Sequence, residues 1–354
     1  MDRQGCGTIR IIYPTLLLNQ YRPEKQQYLF EADYLTSFVN DPNFYKTYTF
    51  VQFQRSATEQ HLKIFQHYVQ HLRKFARVPI VYEIDDLLMD IPNWNYAASY
   101  YNNNPTPIFE MMKLVDGMTT STEDLKKAYS PYCNNIQVIP NHLPKFIWGE
   151  VRPKHLRNPR ELKDRPRIGW AGSENHFCNP KTKEFKEGLR GGDFGHKLMD
   201  FIRKTVDKYQ WVLSGAFPVE LEDVRDKIEH YGWVSIFQYP NHLKKLDLDI
   251  CMAILQPCHF NDCKSNIKSL EYTVIGCPAV YSDASPYRDM TYVSNNDEEI
   301  IDYIERLAES IDLRKEVFEK DYAKVKEQLF WEDSENLWKY VNSYLALFGK
   351  KMRD

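Results

Sequence analysis

The segment from Phe260 to Asp283, FNDCKSNIKSLEYTVIGCPAVYSD, holds the densest set of groups suited to an anionic ligand. Lys264 and Lys268 stand four apart on a predicted helix running from about Lys264 to Ile275. They lie near its positive end, where an anion gains from both the ammonium groups and the helix dipole. Glu271 follows two turns after Lys264, a spacing that suits a polyphosphate at the lysines and a ribose diol at the carboxylate. The same spacing describes a solvated stripe; the setting of strand, loop, helix, Gly276-Cys-Pro turn and strand favours a site. A second set lies where VPIVYEI runs into Asp85 and Asp86, with Glu83 just before them. Carboxylates there would hold a sugar hydroxyl, a metal or a reacting proton, or one of the aspartates simply caps the turn before Pro92. A third set is IGWAGSENH, where Gly172 and Ser173 let backbone N–H groups approach a phosphate. It is neither a dinucleotide fingerprint nor a Walker loop, and His176 reads by default as an exposed loop histidine.

Other chemistry is argued against. The seven cysteines are scattered without a CxxC pair, which suits reduced thiols better than a disulfide framework. Cys258, His259, Asp262 and Cys263 crowd together, but a single C-x4-C without a second ligand pair is a poor metal site. No metal or other cofactor is expected. With 46 basic against 49 acidic residues the net charge is -3, so contact with a polyanion would need a local patch. No apolar run approaches the ~20 residues of a membrane span, and the first residues do not read as an export signal; the expectation is a soluble, cytoplasmic protein.

Elements that alternate between strand and helix must position these groups. TIRIIY (Thr8 to Tyr13), Tyr48 to Phe53 and Val78 to Ile84 read as strands, separated by helices over Gln26 to Val39 and Ala57 to Phe75. A strand at Gly117 to Thr120, a helix capped by Thr122 and a strand ending in Ile139 complete the first half. Seven basic residues and three prolines between Val151 and Arg167 read as a linker. Beyond it the alternation restarts: strands at Ile168 to Ser173, Trp211 to Ser214, Trp233 to Phe237, Leu248 to Leu255 and Pro278 to Tyr281, with a helix over Lys197 to Tyr209. An amphipathic helix over Glu298 to Ile311 and a packed helix within Trp331 to Phe348 follow. The pattern implies an α/β chain with two doubly wound parallel sheets, whose ligands belong at the carboxyl ends of the strands. The expected division is 1–150, a linker 151–167, a second domain 168–330 and a terminal crossover helix 331–354.

The succession of YEIDD, VIPN (Val138 to Asn141), IGWAGS and the Phe260 to Asp283 block resembles the GT-B glycosyltransferases, in particular the glycogen-synthase-like retaining group of bacteria and phages. The resemblance covers most of the chain in order. It implies two Rossmann-like domains facing across a cleft, a nucleotide-sugar donor on the second domain, and a last helix that returns to the first. It also implies that Glu271 binds the donor ribose, and that Asn261, Lys264, Ser265 and Lys268, with Gly172 and Ser173, meet the diphosphate. Departures are visible. The position eight before Glu271 is Cys263, where the group commonly has a glutamate, and Trp170 stands in place of its usual arginine. A histidine common after the acidic-loop strand is absent, which leaves Asp85, Asp86 or Glu83 to serve at the sugar.

For the acceptor, the basic linker, including Arg152, Lys154 and Arg157, together with Lys181, Lys183, Lys186 and Arg190, would form a patch at the cleft edge. Trp94, with Tyr96, Tyr100 and Tyr101, would stack on a base or a sugar. Similar phage proteins glycosylate hydroxymethylated pyrimidines, so the expected acceptor is 5-hydroxymethylcytosine in duplex DNA. A cell-surface saccharide is the alternative, followed by a nucleotide-sugar epimerase or a non-catalytic nucleotide-sugar binder of the same fold.

Overall fold

Two parallel sheets organise the chain in a computed structural model, which describes residues 5–20, 41–101, 104–153, 165–177, 192–333 and 335–349. The first sheet has the order β1 (Val51–Gln54), β2 (Ile80–Glu83), β3 (Gly117–Thr120) and β4 (Ile136–Val138). The second has the order β7 (Glu229–Tyr231), β6 (Gln210–Gly215), β5 (Arg167–Gly172), β8 (Ile250–Ala253) and β9 (Ala279–Tyr281). Every strand pair is parallel. That explains why the central strands read as unbroken apolar or small-residue runs: IVYE, GMTT and ICMA are buried on both faces.

The helices follow the apolar periodicity and the caps. Counted in chain order, α1 comprises Gly5–Gly7, a wider π turn Thr8–Ile12 and Tyr13–Gln20. Next come α2 (Glu59–His71), α3 (Glu123–Tyr129), α4 (His196–Lys204), the short α5 (His259–Asp262) and α6 (Ile267–Val274). Helices α7 (Asp297–Glu309), α8 (Ile311–Val325) and α9 (Asn336–Ala346) follow, and further short helices include Thr106–Lys113 and Tyr239–Lys245. Thr58, Thr122, Asn296 and Ser310 each accept a backbone N–H at a helix start, satisfying a donor the helix itself leaves open. Among the described residues no helix is long and apolar enough to cross a membrane.

Two sequence expectations are corrected. Thr8 to Tyr13 is helical, because Leu17 and Leu18 of the same segment pack with Val81, Ile139 and the aromatic side chains of α9. Tertiary packing thereby overrides the β-branched composition. Trp233 to Phe237 is not a strand either. The edge strand is the polar Glu229–Tyr231, and Trp233 and Phe237 are 66% and 57% exposed. An edge strand pairs on one side only and does not require an apolar sequence. The helix expected over Gln26 to Val39 lies outside the described residues.

Helix α9 returns to the first sheet: Phe50 stacks on Tyr344 with centroids 4.8 Å apart, and Asn135 Nδ2 donates to the Leu347 carbonyl at 2.8 Å. The chain thus crosses between the sheets twice, near Leu143 and near Phe330. These crossings pair with each other, Leu143 N donating to Leu329 O at 2.8 Å and Trp331 N to Leu143 O at 3.0 Å. Thr122 Oγ1 donates to Cys263 O (3.0 Å), Asn141 Nδ2 to Ser265 Oγ (2.8 Å) and Asn95 Nδ2 to Asn175 O (3.0 Å), joining the two halves through the loops that follow their strands.

Candidate functional site

The carboxyl ends of β1 and β2 carry one half-buried ionic cluster. Directly after β1, Arg55 takes a left-handed backbone conformation (φ 48°), a strained choice for a non-glycine residue and a recurrent mark of functional positions. Its guanidinium donates to Asp85 at 3.0 Å, to Cys6 Sγ at 2.9 Å and to Asp86 at 2.7 Å. Although burial opposes the charged form, Arg55 and then Lys264 hold the Asp86 carboxyl below its ordinary value. Lys264 and His176 belong to the second domain, so their influence on Asp86 places this carboxylate where the two halves meet. Cys6, Asp85 and Asp86 are the one grouping of three potential metal ligands among the described residues, within 4.8 Å of one another. Arg55 bonds all three, so a cation there would compete with it. Cys258, His259, Asp262 and Cys263 do not converge: His259 bonds Asp90, Asp262 accepts from Ser285 N, and Cys263 is buried against the first domain's core.

Glu83 lies elsewhere in function. Its carboxylate is fully buried, receives Arg10 Nε from α1 at 2.7 Å, and is pushed up to about 7 by burial against the pull of that arginine. Arg10 also donates to the carbonyls of Ile139 and Thr120 and to Asn141 Oδ1. A carboxylate sealed under a helix in this way anchors α1 and does not meet substrate, which corrects its reading as a catalytic residue.

On the second domain the expected lysine stripe is divided. Helix α6 starts at Ile267, so Lys264 sits in the turn before it and not on its face. Lys264 has no carboxylate partner among the described residues; its ammonium lies 4.7 Å from the Phe260 ring centroid. Lys268 is committed: its ammonium is 2.8 Å from Glu271 and 3.0 Å from the Tyr239 hydroxyl, which also donates to Glu271 at 3.0 Å. Burial works against the Lys268 charge, but Glu271 and Tyr239 raise its pKa overall. Glu271 is therefore held in one orientation, as a carboxylate must be to recognise a diol. Ser265 accepts from Asn141 across the domains.

Gly172 and Ser173 end β5. A Cβ at Gly172 would collide with the Trp170 ring and come within 3.1 Å of the His176 ring, so the glycine makes room for these aromatics at the strand end. Trp170 itself is buried in the second core, 4.8 Å from Phe177. His176 is half-buried, not an exposed loop residue: its Nδ1 lies 2.8 Å from the buried Asp193 carboxylate. The other oxygen of Asp193 accepts from Asn261 Nδ2 and from Gln256 N, both at 2.7 Å. Asn261, expected to contact the donor, is fully buried and acts on Asp193 instead.

The acceptor residues fare differently. Arg152 lies at the far end of the second sheet: its carbonyl faces Gly276, past the last turn of α6. Arg165 bonds the carbonyls of Val206 and Tyr209, and Arg167 is bidentate on Glu229, both at the amino ends of strands. The Arg152 backbone and the guanidinium groups of Arg165 and Arg167 thus lie at the amino ends of the second sheet's strands, opposite the carboxyl ends that carry the candidate site, which speaks against the reading of Arg152 as an acceptor contact. Lys154 and Arg157, like Lys181, Lys183, Lys186 and Arg190, lie outside the described residues. Trp94 is buried and offers no open stacking face. Tyr100 is 61% exposed and meets Tyr101 edge-to-face at 4.8 Å, and Tyr101 lies near Arg55.

Sequence reasoning missed Arg55, Asp193 and Tyr239. Arg55 carried a usable signal, standing two residues after the predicted strand Tyr48 to Phe53, at the same sheet end as Asp85. Asp193 and Tyr239 meet their partners only through the fold, 17 and 32 positions apart from His176 and Glu271.

No protein-family model matches the sequence, and no curated protein matches it either. Solved structures do. The Anabaena protein HepE, determined with UDP and glucose, is 12% identical with a TM-score of 0.56 over 86% of this chain and 79% of that one. Sucrose-phosphate synthase from Thermosynechococcus elongatus is 10% identical with a TM-score of 0.55 over 86% of this chain and 74% of that one. At such identities the likeness concerns architecture: the chain has two Rossmann-like α/β domains facing across a cleft, the GT-B arrangement.

Proposed function

We propose that this protein transfers a sugar from a nucleotide-sugar donor to an acceptor hydroxyl. The observation that carries the reading is the meeting of two unlike clusters at the strand ends: an uncommitted ammonium, Lys264, opposite a carboxylate, Asp86, that already has its own counter-ion in Arg55. In this reading Lys264 and the backbone around Ser173 receive the diphosphate, whose departing negative charge they stabilise. Glu271, oriented by Lys268 and Tyr239, holds the ribose. Asp85 and Asp86, fixed by Arg55, accept hydrogen bonds from sugar or acceptor hydroxyls. The neighbour solved with UDP and glucose supports such a donor, and transfer with retained configuration follows from the resemblance in the sequence.

A saccharide acceptor is favoured over hydroxymethylated DNA. Arg152, Arg165 and Arg167 lie at the amino ends of the strands, away from their carboxyl ends, and the described first-domain rim presents Asp85, Asp86 and the exposed Tyr100. Carboxylates and aromatic faces suit a neutral polyol; a polyanion requires a cationic track. A thermal-shift screen of nucleotide sugars and free nucleotides tests the donor, since a ligand that binds only the folded state raises apparent stability. Failure of all of them overturns the reading. Transfer to hydroxymethylated duplex DNA, with salt-sensitive binding, would reinstate the DNA acceptor.

A further inference from the structure

We propose that His176, held by the buried Asp193, is a proton-taking contact for the donor's diphosphate: it is neutral in the open site and becomes an imidazolium when the diphosphate arrives. The inference rests on the nucleotide-sugar reading and adds a group to it. Asp193 has a side chain only 1% exposed, against 19% for His176. The carboxylate therefore lies behind the ring and fixes Nδ1 as the donor at 2.8 Å. Asp193 is itself held by Asn261 Nδ2 and Gln256 N, and its own N–H donates to the His176 carbonyl at 2.8 Å. Gly192 (φ 81°) makes this doubling-back possible, because a Cβ there would stand 2.6 Å from the His176 carbonyl oxygen. Side chain and backbone together lock the ring on the strand end beside Gly172. Nε2 has no partner among the described residues.

The charges that face this ring explain both states. Asp193 favours the imidazolium. Burial disfavours it most, and Lys264 and Lys268 add to that, so the ring's pKa lies below its ordinary value. Asp86 faces it from the first domain but is already paired with Arg55, Lys268 is paired with Glu271, and Cys258 lies near Asp193 with its thiol pKa raised. A diphosphate entering beside Lys264 supplies two or more negative charges and reverses the balance. Nε2 then binds a proton from solvent and donates to a phosphate oxygen. The same contact stabilises the charge that appears on the diphosphate when the glycosidic bond breaks. The sign follows from linkage: a group whose pKa is higher in the complex strengthens binding as pH falls, by at most one tenfold step per pH unit between its free and bound values.

The test is isothermal titration of the full chain with UDP, ADP and GDP, and with the matching nucleosides, near pH 7 in two buffers of different ionisation enthalpy. Net proton uptake is expected with a diphosphate and none with its nucleoside. In H176Q the uptake disappears and diphosphate affinity falls about tenfold, while nucleoside affinity and melting temperature stay as in the wild type. A buffer-independent enthalpy for the wild type overturns the proposal, as does uptake that survives in H176Q; neither touches the donor reading. If no nucleoside diphosphate binds at all, the nucleotide-sugar function fails and this proposal with it. Should H176Q fold poorly, the wild-type two-buffer measurement alone decides.

Discussion

The two clusters that meet at the strand ends handle charge in opposite ways. On the first domain Arg55 bonds two carboxylates and a thiol at once, so that one guanidinium is shared between two carboxylates. On the second, Lys268 is spent on Glu271 while Lys264, a few residues earlier, has no carboxylate within ion-pair distance among the described residues. The difference teaches that a charged residue at a strand end is not by itself a ligand contact. What distinguishes the two lysines is whether the fold has already supplied the counter-ion. A buried pair broken on one side is costly, whereas an unpaired surface cation costs almost nothing to remove until its ligand is present.

Mutations can break or sharpen that contrast. Arg55→Ala strands Asp85 and Asp86 together and is expected to cost about 3–5 kcal/mol of stability, with loss of activity; chemical denaturation measures it, and an unchanged midpoint would mean the cluster is not held by Arg55. Lys268→Ala leaves Glu271 buried without its cation and is expected to cost about 2–3 kcal/mol, again read by denaturation. Lys264→Ala, by contrast, should leave the melting temperature unchanged and lower turnover at least about tenfold, near 1.4 kcal/mol. A fall in stability for this variant would erase the distinction between the lysines. The smallest effect is a pH dependence. The folded Asp86 pKa is depressed, so its pairing with Arg55 contributes fully above about pH 4, the ordinary aspartate value, and is lost as the pH falls through the folded value. The gap in melting temperature between wild type and Asp86→Asn should therefore close on acidification below that point and stay constant above it.

How much of this was legible in the sequence varies with its physical origin. Strands buried on both faces, such as Ile80–Glu83 and Ile250–Ala253, show as apolar runs because nothing else survives there. Thr122 as a helix cap was legible because capping is a local hydrogen bond. The edge strand Glu229–Tyr231 was hidden by its polarity, and the decoy WVSIF next to it is aromatic and exposed. Helix α1 was hidden because TIRIIY carries strand propensity, while its helical state is set by Arg10 reaching Glu83 and Leu17 packing near α9. In the site, Glu271, Lys264 and Asp86 were visible as residue types at strand ends. The pairings that give them meaning join residues far apart in sequence, and no spacing rule reports them.

The paired crossings at Leu143 and Phe330 have a mechanical consequence. Two separate links between the halves would allow shear, twist and separation; links hydrogen-bonded to each other behave as a single hinge pin. A rotation of one half against the other about that seam would have to break the loop contacts Thr122–Cys263, Asn141–Ser265 and Asn95–Asn175. A ligand that spans Lys264 and Asp86 sits on both leaves of the hinge, so its affinity reports the angle at which they rest. Substitutions at the seam would alter binding without touching the ligand.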